Sequence, residues 1–168
     1  MSAAAPAAPR LWTGAFGAEC PAAALAGREP IFVPAAVHVD DRGWSLMNLL
    51  RGVLAPEGQV NFSLQFPGVI KAWHRHRLQT DFWLCVQGHI KAGVHDADRG
   101  RSWVQVFGEK QPGVLVIPPG LWHGAATVGP VPAGLVYYVT RAYDPAAPDE
   151  ERRAADSVPG FSWQVENR

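Results

Sequence analysis

Apolar and polar residues alternate along much of this chain, and they do so in short runs. From Gln59 to Phe66, Val60, Phe62, Leu64 and Phe66 are interleaved with polar residues, the two-residue period of a half-buried strand. Ile90, Ala92 and Val94 alternate with His89, Lys91 and Gly93 in the same way. Phe82–Val86 is apolar throughout, which predicts a strand covered on both faces. Ile31–Val33, Val37–Val39, Val69–His76, Trp103–Phe107, Val114–Ile117 and Leu135–Thr140 read as further extended runs. Turn signals separate them: Asp40-Asp41-Arg42-Gly43, Pro67-Gly68, Gln87-Gly88, Asp96–Gly100, Pro118-Pro119-Gly120 and Gly129-Pro130-Val131-Pro132. Trp44–Val53 fits either a strand or a short helix. The charged, Ala-containing segment Asp149–Asp156, with Pro148 ahead of it, reads as a short C-terminal helix. Many short strands with regular Gly/Pro turns predict an all-β fold, a small barrel or double-sheet jelly roll.

Composition sharpens this picture. At 168 residues the chain is one domain long. Residues 1–28 read as a flexible Ala/Pro-rich arm or a short helix, and residues 29–168 as a single domain. The 17 glycines and 15 prolines leave little room for long helices. A hydrophobic content of 48%, with seven tryptophans, is enough for a packed core and excludes disorder of the whole chain. The formal net charge of zero argues against nucleic-acid binding by bulk electrostatics and against a polybasic membrane module. There is no apolar run of membrane-spanning length, and the N-terminus lacks the pattern of a signal peptide, so a cytoplasmic location is expected. Cys20 and Cys85 do not make a disulfide scaffold, and Cys85 reads as a buried packing thiol. Twelve of the 15 basic residues are Arg. That bias fits high-GC codon usage as well as bidentate gripping of a phosphate or carboxylate.

Two phrases concentrate the chemistry. In Gly68-Val-Ile-Lys-Ala-Trp-His74-Arg-His76, the two histidines are two apart on an extended run and project from one face. Asp81 follows after four residues, enough to cross a turn and point back from the neighbouring strand. In Gly113-Val-Leu-Val-Ile-Pro118-Pro119-Gly120-Leu-Trp-His123, a tight turn can aim His123 inward. Three imidazoles and a carboxylate converging in a barrel can bind Zn, Fe, Mn, Ni or Cu. Arg75 and Arg77 should face away from the histidines. Trp73, Trp83 and Trp122 read as core or pocket wall, and His38, His89 and His95 as surface.

These phrases resemble the two motifs of the cupin superfamily, with Asp81 where Glu is usual and Thr127 where the second motif often ends in Asn. The resemblance implies a double-stranded β-helix, the cupin jelly-roll barrel. A narrower resemblance, over about residues 40 to 163, is to the dTDP-4-dehydrorhamnose 3,5-epimerases. It rests on Asp41-Arg42-Gly43, Gln59-Val-Asn61-Phe-Ser63, Gly68–His74, Ile117–Gly124, the tyrosines Tyr137 and Tyr143, and Asp156 to Trp163. By that resemblance His74 would be the base that removes a proton next to a ketone, oriented by Asp156. Tyr137 would return a proton to the opposite face, and Tyr143 would line the sugar pocket. Arg42, Gln59, Asn61 and Lys71 would bind the nucleotide-sugar substrate. A homodimer is implied, because some phosphate contacts in that family come from the partner subunit.

The departures are informative. The epimerases carry a Lys that stabilises the enolate oxygen where this chain has Asp81 or a residue close to it, and Gln where this chain has His76. The family Arg is Lys71 here. A carboxylate cannot stabilise an oxyanion unless a cation lies between. The changes read as coupled, with a divalent metal (Zn, Fe, Mn or Ni) on His74, His76, Asp81 and His123 replacing the lost Lys. His74 cannot be both ligand and free base. If it ligates, Tyr137 or Asp156 becomes the better acid/base. The expected activity is that of an isomerase on a nucleotide-linked 4-keto sugar. The alternatives are a metal-dependent oxygenase, lyase or cyclase acting on another small molecule, and a sugar-binding cupin without catalysis.

Overall fold

The computed structural model describes residues 4–165. In chain order its elements are β1 Arg10–Leu11, α1 Glu19–Gly27, β2 Ile31–Pro34, β3 Val37–Asp40, β4 Gly43–Leu46, β5 Gln59–Gln65, β6 Ile70–Arg75, β7 Asp81–Gln87, β8 His89–Asp96, β9 Arg101–Gly108, β10 Gly113–Ile117, β11 Trp122–Val128, β12 Ala133–Val139 and β13 Glu151–Arg152. Two sheets carry the fold. One has the order β1-β2-β10-β7-β12-β5 and the other β13-β6-β11-β8-β9. Crossovers between the sheets give the cupin jelly roll that the motifs implied.

The core lies between the sheets. Trp83, Cys85, Leu115 and Leu135 from the first meet Ile90, Val94, Trp103 and Phe107 from the second. The outer face of the six-stranded sheet is also covered. Phe82 and Leu84 pack there with Val114, Val116, Cys20 and Ala24, which explains why Phe82–Val86 is apolar on both faces. Residues 1–28, expected as a flexible arm or a short helix, contain the helix α1, which is laid on that face. Strand β1 pairs in parallel with β2, and α1 buries Cys20 and Ala24 completely.

Two expectations are corrected, and one left open is resolved. Asp149–Asp156 forms no helix. Pro148 precedes two residues that pair antiparallel with β6, Glu151 opposite Arg75 and Arg152 opposite His74. Backbone bonds between Trp73 and Arg153 in both directions continue the pairing, so ladder bonds to β6 replace helical ones. Trp44–Val53 is the second strand of the β3–β4 hairpin followed by turns. His95 is 7% exposed, its Nδ1 at 2.9 Å from the Ser102 hydroxyl, and is not a surface residue.

Strand β11, Trp-His-Gly-Ala-Ala-Thr-Val, gave no strand pattern, yet it is central, between β6 and β8. Its small residues permit this: a Cβ on Gly124 would sit 2.4 Å from that of Ala72. On the outer face of this sheet Trp73, Trp122 and Val158 pack with Phe161 and Trp163 from the C-terminal segment. Trp73 is fully buried, and its indole N–H donates to the Ala155 carbonyl. Trp73→Ala should cost about 3–5 kcal/mol of stability, read as a lower denaturant midpoint at unchanged slope.

Candidate active site

Strands β6 and β11 bring the two motifs together. His74 pairs directly with His123, and the register shifts immediately afterwards. The His74 and His123 ring centroids are 4.2 Å apart, and His76 lies 5.5 Å from each. Asp81, 3% exposed at the start of β7, completes the group. One ligand atom from each of the four residues lies within 4.8 Å of the others.

Three of the four are held from behind. The His123 Nδ1–H donates to the Leu121 carbonyl at 2.9 Å, which turns Nε2 inward. That Nε2 is buried with no hydrogen-bond partner among the described residues, 3.6 Å from Asp81 Oδ2. The His76 Nδ1–H donates to the Asp149 carbonyl, leaving its Nε2 free. The Asp81 oxygens accept the Gln79 amide at 2.9 Å and the Trp83 indole N–H at 3.3 Å. His74 makes no hydrogen bond through its ring among the described residues, and it stacks on Trp83.

The electrostatics follow from burial. Burial pushes the Asp81 carboxyl up, but the imidazoles of His123 and His76 and the Gln79 amide outweigh it, so Asp81 is ionised below the ordinary carboxylate range. His74 is driven well below 6.5, first by burial and then by His123, with Asp81 opposing only in part. Its imidazole is therefore neutral at physiological pH, the form that accepts a proton or binds a metal. The Tyr137 phenol is raised above 10 by burial and by the charges of Asp81 and Glu150, so it stays protonated.

A cavity of about 1660 Å³ opens against this group. Gln59, Asn61, Lys71, Tyr137 and the exposed Tyr143 all line it. The Lys71 ammonium donates to the Ser63 hydroxyl at 2.7 Å, and the Tyr143 backbone N–H to the Gln59 amide oxygen at 3.0 Å. Two expected residues stand apart. Asp156 sits exposed in the turn after β13, outside the cavity lining and without a bond to His74, because the C-terminal segment runs past β6 as a strand. Arg42 sits exposed in the β3–β4 turn, bonded to Asp40, and does not line the cavity of its own chain. Apart from Tyr143, the wall formed by residues 141–153 was missed in the sequence reading. The two prolines in Asp144-Pro145-Ala-Ala-Pro148 were the available signal that this stretch is not helical; it turns at Asp144–Ala147, where the Ala147 N–H donates to the Asp144 carbonyl at 3.2 Å.

Residues 38–151 match the polysaccharide biosynthesis C-terminal domain family. The chain belongs to that family. This polysaccharide biosynthesis domain is 37% identical, over 78% of its length and 92% of the relative's, to the spore coat polysaccharide biosynthesis protein SpsL of Bacillus subtilis. It is 40% identical to the probable low-salt glycan biosynthesis epimerase Agl13 of Haloferax volcanii, over 62% of this chain and 72% of that one. Among solved structures it resembles a dTDP sugar isomerase from Desulfovibrio desulfuricans, with a TM-score of 0.70 and 25% identity over 80% of this chain and 90% of that one. The domain is thus a cupin enzyme of the epimerase/isomerase kind, in sugar biosynthesis. No helix among the described residues is long and apolar enough to cross a membrane.

Proposed function

We propose that the chain epimerises a nucleotide-linked 4-keto-6-deoxy sugar, removing a proton next to the ketone and returning one to the opposite face. The observation that carries this reading is the placement of two proton-handling groups. His74, neutral and unbonded, stands on β6 of one sheet, and Tyr137, protonated, on β12 of the other. A substrate held between the sheets is approached from both faces, as inversion requires. Asp156, outside the cavity, has no part in this reading.

A divalent metal fits the donor set. The inward Nε2 atoms of His76 and His123 and the ionised Asp81 are each fixed by an outer bond, the usual arrangement behind metal ligands, and the Nε2 of His123 is a buried acceptor without a partner. These three residues would hold the ion, which leaves His74 as the base. Such an ion supplies a Lewis acid for the carbonyl, the role of the Lys that the epimerases carry. Lys71 offers positive charge to the diphosphate from the same strand as His74, and Gln59 and Asn61 offer amides.

A homodimer fits the surface. The β3–β4 hairpin joins neither sheet and exposes Val39, Trp44 and Met47, while the edge strand β5 exposes Val60, Phe62 and Leu64. A partner's hairpin on this edge would bring its Arg42 toward the substrate, and sedimentation of the purified chain reads the state directly.

Solvent deuterium should enter a dTDP-4-keto-6-deoxy sugar at carbons flanking the ketone, with one equivalent of divalent metal in the purified protein. No exchange would sink the epimerase reading. Two histidines and one carboxylate also suit non-haem iron oxygenases. Oxygen consumption without exchange would favour that second reading.

A further inference from the structure

The segment that walls the cavity also sets the orientation of one of its histidines. Residues 141–153 are stitched to the barrel at both ends. The Ala142 N–H donates to the Glu57 carbonyl at 2.8 Å, and the Arg153 N–H to the Trp73 carbonyl at 2.9 Å. Between these stitches the Tyr143 N–H on Gln59, the ion pairs of Glu151 and the β13–β6 ladder hold the segment, and Asp149 ties it to the turn after His76. Its carboxylate accepts the backbone N–H of Arg77 at 2.9 and 3.1 Å and that of Leu78 at 2.8 Å, closing the turn directly after His76. Its main-chain carbonyl accepts the Nδ1–H of His76 itself. The His76 carbonyl is held in turn by the Gly120 N–H at 2.7 Å. The carboxylate therefore fixes the register in which the carbonyl meets the ring.

We infer that Asp149 is a positioning residue: its carboxylate locks the strap to the turn after β6, so that its carbonyl holds His76 as the Nδ1–H tautomer with Nε2 facing the site. The neighbouring Glu151 does not do this. It pairs with Arg75 and Arg77, whose side chains point away from the cavity, and it touches no site histidine. Loss of the Asp149 carboxylate leaves two backbone N–H groups without their acceptor and loosens the strap locally at residue 149, ahead of the β13 ladder, so the carbonyl can shift and the ring can turn. The part of the inference that concerns metal affinity rests on the metal reading above; the part that concerns the tautomer does not.

The test uses the full chain labelled with ¹⁵N. In metal-free wild type at pH 8.5, long-range ¹H–¹⁵N spectra should show His76 protonated at Nδ1 alone. Asp149→Ala should give a mixture of tautomers at His76 and bind Co²⁺ about 10–100-fold more weakly, the usual cost of losing a group behind a ligand. Asp149→Asn, which keeps one acceptor oxygen, should fall between, and it carries the same readings if Asp149→Ala does not fold. Glu151→Gln should leave both readings at wild type. An unchanged His76 tautomer in the Asp149 variants, or an equal change in Glu151→Gln, overturns the inference. If wild type takes up no Co²⁺, the metal reading fails on its own, and the tautomer still decides the role of Asp149.

Discussion

Purified His76→Ala protein is expected to carry no stoichiometric divalent metal and to turn over a 4-keto sugar nucleotide at least ~100-fold more slowly than wild type. A group behind a ligand is commonly worth about 10–100-fold in metal affinity, and loss of a ligand itself should cost no less. The site gives a reason to expect more. Without the second imidazole, the ionised Asp81 and the His123 Nε2 remain in a buried site with one partner fewer, and His76 is one of the groups that keeps Asp81 ionised. Elemental analysis beside a rate measurement checks the result. A His76→Ala protein that stays metal-free and fully active would remove metal assistance from the reaction and return the site to the epimerase pattern without metal. The fold should survive, because His76 lies at the end of β6, half-buried and outside the packed core clusters.

Tyr137→Phe separates the two faces of the reaction. The substitution removes one oxygen and keeps the ring between Trp83 and Asn61. With His74 intact, solvent deuterium should still exchange at the proton this base removes and returns. Inversion needs the second donor, and it should fall by about 10²–10⁴, the usual contribution of a positioned acid. The pH profile carries the sign. Burial and the nearby carboxylates raise the phenol above 10, so its donating form persists as pH rises and is lost only past that point. The alkaline limb of wild-type inversion should therefore lie above pH 10, and residual activity of Tyr137→Phe should lack it. Equal loss of exchange and inversion would place Tyr137 in substrate binding instead.

What the sequence disclosed depended on how local the cause was. The alternation in β8 and the apolar run of β7 report burial directly, whereas the alternation in β5 marks a strand whose polar residues face the cavity and whose apolar residues are exposed. The His-x-His spacing, Asp81 and His123 were legible because a strand period and one tight turn suffice to converge them. Strand β11 was not legible. Its Gly-Ala-Ala centre has no preference of its own, and only the two neighbouring strands make it extended. The C-terminal segment failed for the opposite reason. Its charges suit a helix, but β6 offers it unpaired backbone groups, and tertiary pairing decides. Asp149 could not be seen as part of the site, since its carboxylate meets the backbone N–H groups of Arg77 and Leu78 and its carbonyl the His76 ring, contacts between distant segments whose backbone partners leave no mark in a sequence.

The position of the strap along the chain has a consequence in time. His74, His76, Asp81 and His123 are all synthesised before Asp149, and the aromatic pair Phe161 and Trp163 that covers Trp73 comes later still. A nascent chain can therefore pair β6 with β11 and bury most of its core while His76 still lacks its backing carbonyl. The His76 ring gains its backing only once Asp149 has been synthesised. A chain cut short before Asp149 would carry the histidines without the carbonyl that backs His76.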